Sequence, residues 1–377
     1  MARPSHARRL ILALLGSAAC SEPPPADATT VRALVAPRAL ALTMGLSEVV
    51  AFDVPVDALS VVVSIAGPTT HYLGVGQWRG PDGELVPPGW VAWRPVAQPQ
   101  MCASCPNRVW LARGGAAAMV PSQPGVRLTP GRHEVRVVAL ADLADSSGSG
   151  DLSVTMTIEA KTGPSLPSSG LVDVDLHLAT ARWTATTAPD DDDLQAVLSE
   201  ADAALAGAGL ALGDVRYHDA PRTFAVTHGT DTAGAPVFDL MANARDAPGV
   251  DVFLVDRLYP RAHGDSAPMR GWASSIPVAG TLGSRPAIVI AVERQPTVGR
   301  ALAHELGHAL GLYHTSEAYG GALAERTHDQ LADTPEDDRS LLLYFVGFGT
   351  AWSPSQGDVV RSHPRVRHVV GGRAALP

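Results

Sequence analysis

His304-Glu305-Leu306-Gly307-His308-Ala309-Leu310-Gly311-Leu312-Tyr313-His314 decides the reading of this chain, because three candidate metal ligands, a candidate general base and a chain-turning glycine fall within it. On a helix, His304 and His308 stand four residues apart, so both imidazoles leave one face, separated by roughly 6 Å along the axis. That spacing suits two ligands of one tetrahedral Zn²⁺ with Zn–N bonds of about 2.0–2.1 Å. Glu305 sits beside the first ligand, where its carboxylate can reach a metal-activated water without ligating the metal, the position of a general base. Gly311 lacks a Cβ, so it can take the positive φ that ends a helix and reverses the chain, and His314 then returns as third ligand. A fourth position left to water separates a catalytic zinc site from a closed structural one. With 13 histidines in 377 residues, chance yields the whole pattern on the order of once in several thousand chains. The flanks agree: Thr297 can cap a helix beginning around Val298, and Leu302, Leu306, Ala309 and Leu310 give it an apolar side.

At this stretch the chain resembles the metzincin metallopeptidases, whose extended zinc motif is matched by His304, Glu305, His308, Gly311 and His314. Downstream, Asp333-Thr334-Pro335 resembles the Asp-Thr-Pro segment of the pappalysin-like, or cytophagalysin, branch. The resemblance covers about residues 170–377. It implies a zinc endopeptidase with one catalytic ion, a mixed β-sheet, an active-site helix and a Met-turn beneath the histidines. The candidate turn is Ser340-Leu341-Leu342-Leu343-Tyr344-Phe345, which contains no methionine, so Leu342 or Leu343 stands at the Met position. Leucine for methionine roughly conserves volume and typically costs under about 1.5 kcal/mol. If Leu342 is the equivalent, Tyr344 falls where some metzincins carry a tyrosine that ligates zinc or stabilises the oxyanion; if Leu343 is, Tyr344 is a packing residue.

Working outward, 46% hydrophobic residues and a mean hydropathy of +0.08 indicate folded material with room for two domains. A net charge of −9 argues against nucleic acid or an anionic membrane surface as electrostatic partner. At the N-terminus, Arg3, Arg8 and Arg9 precede Leu10–Leu15, small residues and Cys20, the pattern of a secretory signal peptide too short to span a bilayer. Ser17-Ala18-Ala19-Cys20 resembles a bacterial lipobox, which implies lipidation of Cys20 and membrane contact through that N-terminal anchor alone. Ser17 departs from the usual leucine, and ordinary cleavage near Ala19 stands as the alternative, so the chain is expected at the cell envelope or secreted. Cys102 and Cys105 are expected to form a small-loop disulfide in an exported protein. A structural zinc there would need two further ligands, and a cysteine switch onto the catalytic zinc is the remaining alternative.

Segment by segment, the expected order is a signal peptide (1–20), a proline-rich tether (21–37), an all-β sandwich-like domain (38–162), a linker (163–170) and a zinc metallopeptidase domain (171–377), giving an α+β chain. Leu152, Val154, Met156 and Ile158 alternate with Ser153, Thr155 and Thr157, the period of a half-buried strand, and short similar runs with Gly/Pro/Asp turns favour a sandwich. That region could bind substrate or a surface partner, be a removable pro-region, or act as a spacer. Val250–Val255 and Ala287–Val292 read as apolar strands, and Ser353-Pro354-Ser355-Gln356 carries the signals of a helix start. The acidic run Asp190–Asp193 is expected at a helix N-terminus, with calcium binding as the alternative. Asp333 is read either as a partner of a zinc histidine or of calcium, or as a turn and helix cap. His328, His363 and His368 are expected on the surface. The reaction expected is hydrolysis of a protein or peptide substrate; a silent surface-binding lipoprotein and a self-processing factor are the alternatives. Nothing in the sequence sets the oligomeric state.

Overall fold

The structure, a computed structural model, describes residues 29–93, 100–102, 104–143, 150–230, 234–244, 249–260, 268–278, 287–293, 297–317, 327–334, 342 and 349–368. The first part holds β1 (Thr30–Thr43), β2 (Leu46–Ser47), β3 (Val50–Val54), β4 (Ala58–Ala66), β5 (Tyr72–Gly80), β6 (Gly83–Val86), β7 (Ala112–Arg113), β8 (Gly115–Val120), β9 (Gly131–Leu140) and β10 (Leu152–Thr162). The second holds β11 (Gly170–Ala179), α1 (Asp192–Leu205), β12 (Leu210–Asp219), β13 (Val226–His228), α2 (Pro236–Met241), β14 (Val250–Val255), β15 (Arg257–Tyr259), β16 (Gly271–Ala273), β17 (Ile288–Ala291), α3 (Val298–Ala309), β18 (Ser316–Glu317), β19 (Thr327–His328), α4 (Pro354–Ser362) and β20 (Val366–Arg367).

β1 to β10 hydrogen-bond into one sheet in the order β6-β5-β9-β2-β1-β10-β4-β8, with β3 also on β9 and β7 on β5. The ladder is therefore continuous through β2 and β1. β1 shifts register between Ala33 and Val35 and again between Val35 and Arg38, and such irregularities let a strand bend. Val63, Val75, Ala118, Val137 and Met156, from five strands, share one core. β1 begins at Thr30 and pairs with β10 as far as Thr162, so ordered chain reaches into the span read as tether. Main-chain pairing needs no side-chain burial, and residues 30–33 are exposed, which is why their composition does not announce a strand. β10 is half-buried only at its start: Thr157, Glu159 and Lys161 are also buried, because its second face meets the other half of the chain.

That other half is built on a mixed sheet in the order β12-β11-β14-β17-β16, with β20 also on β11. β12, β11, β14 and β17 are parallel, and β16 and β20 antiparallel. Together with its helices this makes the chain α+β. One face, including Leu176, Leu254 and Ile290, packs on Leu198 of α1 and Leu302 and Leu306 of α3. Phe253, Val255 and Val289 face Val237 and Leu240 of α2. Burial on both faces explains the near-continuous apolar composition of β14, broken only by the buried Asp251, and of β17. No described helix is long and apolar enough to cross a membrane.

The two halves interlock. Lys161 Nζ, fully buried, donates to the carbonyls of Arg361 at 2.6 Å, His363 at 3.0 Å and Val366 at 2.6 Å, closing the end of α4. Burial pulls the Lys161 pKa down to about 7, against which three acceptors favour the form with three N–H donors. Val62, Ala117 and Met119 of the first sheet belong to the same core as α3. His363, expected on the surface, is fully buried, because α4 ends beneath β10. His328 is exposed and His368 half-buried.

Candidate metal centre

α3 follows Thr297, but the Thr297 hydroxyl makes no cap; it accepts from Arg270 Nη1 at 3.1 Å. The first-turn amide of Gly299 donates instead to Glu200 Oε2 on α1 at 3.2 Å, so a carboxylate from the neighbouring helix meets the positive end of the α3 dipole. Glu200 also pairs with Arg300 at 3.1 Å. Gly299 permits the approach, since a Cβ there would collide with the Val197 carbonyl. At the other end Gly311 adopts φ +106° and its amide bonds to the His308 carbonyl at 3.0 Å, turning the chain toward His314.

The three histidines converge. Nε2 of His308 lies 3.0 Å from Nε2 of His304 and 3.0 Å from Nε2 of His314, and the last two are 3.2 Å apart. Tetrahedral ligands at bond lengths of about 2.0–2.1 Å stand about 3.3 Å from one another, so the set fits zinc. The chemistry of the donors agrees: His308 Nδ1–H donates to the Leu312 carbonyl at 2.7 Å, which leaves its Nε2 as a lone pair aimed at two other ring nitrogens. Burial, and then the neighbouring His314 and His304, hold the His308 pKa well below its ordinary value, which keeps the ring neutral as ligation requires. Among the described residues this is the one convergence of three or more ligand-type side chains.

Glu305 is buried, and burial pushes its carboxyl up to about 8 while the Ala273 amide pulls it back. A cation at the three nitrogens would lower it further. Its carboxylate lies across β16: a Cβ on Gly271 would stand 2.7 Å from Glu305 Oε1. Among the described residues β16 is the last strand of its sheet, paired with β17. Beneath the helix, Leu342 is fully buried with its Cδ2 3.1 Å from the place of a Cβ on Gly307, and its carbonyl accepts from Thr315 at 3.0 Å. Leu342 thus packs against Gly307 of α3, whereas Leu343, Tyr344 and Cys20 lie outside the described residues. Asp333 is placed away from the histidines, with Oδ2 accepting from Ser355 at the start of α4. Ser353 and Gln356 form a capping box there. In the acidic run, Asp191 caps α1 through Leu194, and Asp192 and Asp193 fill its first turn. Cys102 and Cys105 are joined as a disulfide.

Several residues that hold the centre carry no sequence signal. Met119 of β8 packs under the turn at Gly311, its Cε 2.8 Å from the place of a Cβ there. Arg108, just past the disulfide, donates to the His328 carbonyl at 2.8 Å, and its guanidinium lies 5.2 Å from the ring of Tyr313, the neighbour of His314. Gln330 bridges back, accepting from Arg108 N–H at 3.1 Å and donating to the Cys105 carbonyl at 2.8 Å. The Arg108 and Gln330 hydrogen bonds join positions more than 200 residues apart, and no local spacing could have marked them.

No known family matches the chain, and no curated protein does. Among solved structures, the archaemetzincin of Methanopyrus kandleri is similar over 53% of this chain and 91% of its own, at 14% identity and a TM-score of 0.28. Metalloproteinase-II of Bacteroides fragilis is similar over 55% of this chain and 61% of its own, at 14% identity and a TM-score of 0.32. A family two carbohydrate esterase from Clostridium thermocellum follows at 9% identity and a TM-score of 0.17, over 60% of this chain and 65% of its own. At such scores, function rests on the residues of the site.

Proposed function

We propose that this chain is a zinc-dependent endopeptidase of the metzincin kind, exported and held at a bacterial cell envelope by lipid on Cys20. The convergence of three imidazole nitrogens within 3.2 Å beside a buried glutamate carries the reading. Asp333-Thr334-Pro335 supports placing it in the pappalysin-like branch, and its partner is then a protein or peptide substrate.

His304, His308 and His314 would hold the ion. Zinc bound there would supply Lewis acidity, polarising a peptide carbonyl and making water acidic enough to attack near neutral pH. Glu305 takes the proton of the attacking water on its carboxylate and returns it to the leaving amine nitrogen. The Ala273 amide and the bare surface of Gly271 fix that carboxylate in place. Tyr344 is assigned to the developing oxyanion or to a fourth ligand position, following the alignment of Leu342 with the Met-turn.

The test is hydrolysis of a quenched-fluorescent peptide mixture by residues 21–377, with Glu305→Ala alongside at matched zinc content. Glu305→Ala is expected to keep zinc and lose hydrolysis by several orders of magnitude, and His308→Ala to lose the metal as well. Equal rates in Glu305→Ala and the parent would sink the mechanism.

A further inference from the structure

His304 and His308 are fixed by one helix, but His314 lies beyond Gly311, on chain that has left α3. The strand that continues from it, β18, pairs with β19 in a sheet of two strands among the described residues, and an isolated two-stranded ribbon is marginally stable in water. Contacts from elsewhere must therefore hold the third nitrogen within 3.2 Å of the other two.

The first sheet reaches that stretch through one hairpin. The chain doubles back between Met101 and Trp110, with the Cys102 amide donating to the Val109 carbonyl at 3.1 Å and the Cys102–Cys105 disulfide closing the bend. Asn107 ties the bend to β8 and the residues after it, donating to the Met119 carbonyl at 2.7 Å and accepting from the Ser122 amide at 2.9 Å. From there the hairpin grips both sides of His314. On the near side, Tyr313 is buried in a small cluster with Met101, Ile276 and Trp110, and its ring lies 5.2 Å from the Arg108 guanidinium, within cation–π range. On the far side, the Thr315 carbonyl accepts from His328 Nδ1–H at 3.1 Å, and the His328 carbonyl accepts in turn from Arg108 Nη2 at 2.8 Å. Gln330 locks this to the bend, accepting from the Arg108 amide at 3.1 Å and donating to the Cys105 carbonyl at 2.8 Å. One buried side chain, Arg108, thus touches the residue before His314 and the strand that holds the residue after it.

We propose that Arg108 is a positioning residue for His314 as third metal ligand, and that the disulfide, by fixing the bend that carries Arg108, raises the affinity of the centre for zinc. The proposal rests on the zinc reading and deepens it: the first sheet supplies no ligand, yet it sets how tightly the metal is held. Groups that orient a ligating histidine typically contribute about 10–100-fold to metal affinity.

Competition for Zn²⁺ between the full chain and a chromophoric chelator tests it. Arg108→Met is expected to weaken zinc binding by about tenfold or more, and Arg108→Lys to recover part of the loss, since an ammonium keeps the charge but not the planar fork. Gln330→Ala, and Cys102→Ser combined with Cys105→Ser, are each expected to weaken it severalfold. The deciding comparison repeats Arg108→Met in a His314→Ala background. An effect carried by His314 disappears there, whereas a general loosening of the fold lowers affinity equally in both backgrounds. Should Arg108→Met fail to fold, the half-buried Gln330, replaced by alanine in the same two backgrounds, decides the matter. Unchanged affinity in every variant, or equal losses with and without His314, overturns this proposal alone. A parent chain that binds no zinc overturns it together with the zinc reading.

Discussion

A single absent methyl group decides where the proposed general base can sit. Gly271 lies under Glu305, and a Cβ there would stand 2.7 Å from both Cγ and Oε1 of that side chain. Contacts under about 3 Å force a shift, and a displacement of about 1 Å in a catalytic group can cost on the order of 100-fold. We expect Gly271→Ala to keep zinc stoichiometry and thermal stability near those of the parent while kcat/KM falls by about 100-fold; an unchanged kcat/KM would show that Glu305 is not held against β16. Gly311 is a different kind of glycine: its φ of +106° is the requirement, and Met119 fills the space beneath it. Gly311 could be read from its spacing to His308. Gly271 could not, because nothing in Arg270-Gly271-Trp272 indicates which side chain will cross it.

α3 shows the same division one level up. Its extent, its apolar side and its ligand spacing all follow from residues within one helix, so they were legible from periodicity alone. Its cap was not: the sequence offers Thr297 at the right position, but the acceptor used by Gly299 is Glu200, 99 residues earlier. α4 makes the contrast, since its capping box closes between Ser353 and Gln356 within four residues and was readable. Helix-cap carboxylates are worth about 0.5–2 kcal/mol, and Glu200 also engages Arg300. We expect Glu200→Ala to lower stability by about 1–2 kcal/mol in urea unfolding of the metal-stripped chain, with Glu200→Gln recovering part of it. No loss in either variant would mean that the start of α3 is satisfied by other groups. The first sheet was legible as β structure for the same local reason, whereas its single continuous ladder depends on β1 pairing with β10 across more than 100 residues.

For the whole molecule, the question is whether the first sheet is a detachable neighbour or part of the fold that carries the three histidines. Met119 under the turn at Gly311, Arg108 on the segment after His314, and Lys161 on the end of α4 all argue for the second. His363 reports on the same junction through pH. Nδ1 accepts from the Arg365 amide at 3.2 Å, and the ring is fully buried. Burial, then the charges of Arg365 and Lys161, outweigh a hydrogen bond to the Val278 backbone and bring its pKa from 6.5 down to about 3. The unfolded chain therefore binds a proton near 6.5 that the folded chain refuses until about 3, so between those values the unfolded state holds more protons and stability falls as pH falls. The contribution is fully present above about 6.5, and its loss on acidification amounts to at most about 5 kcal/mol at 1.36 kcal/mol per unit. In His363→Asn the side-chain oxygen can take the place of Nδ1 as acceptor but does not titrate, so the variant should lose less stability than the parent between pH 6.5 and pH 3. Urea unfolding of both chains, stripped of metal so that His304, His308 and His314 contribute equally, measures the difference. Parallel pH profiles would mean that His363 protonates freely, and that the seam between α4 and β10 opens to water well before the chain unfolds.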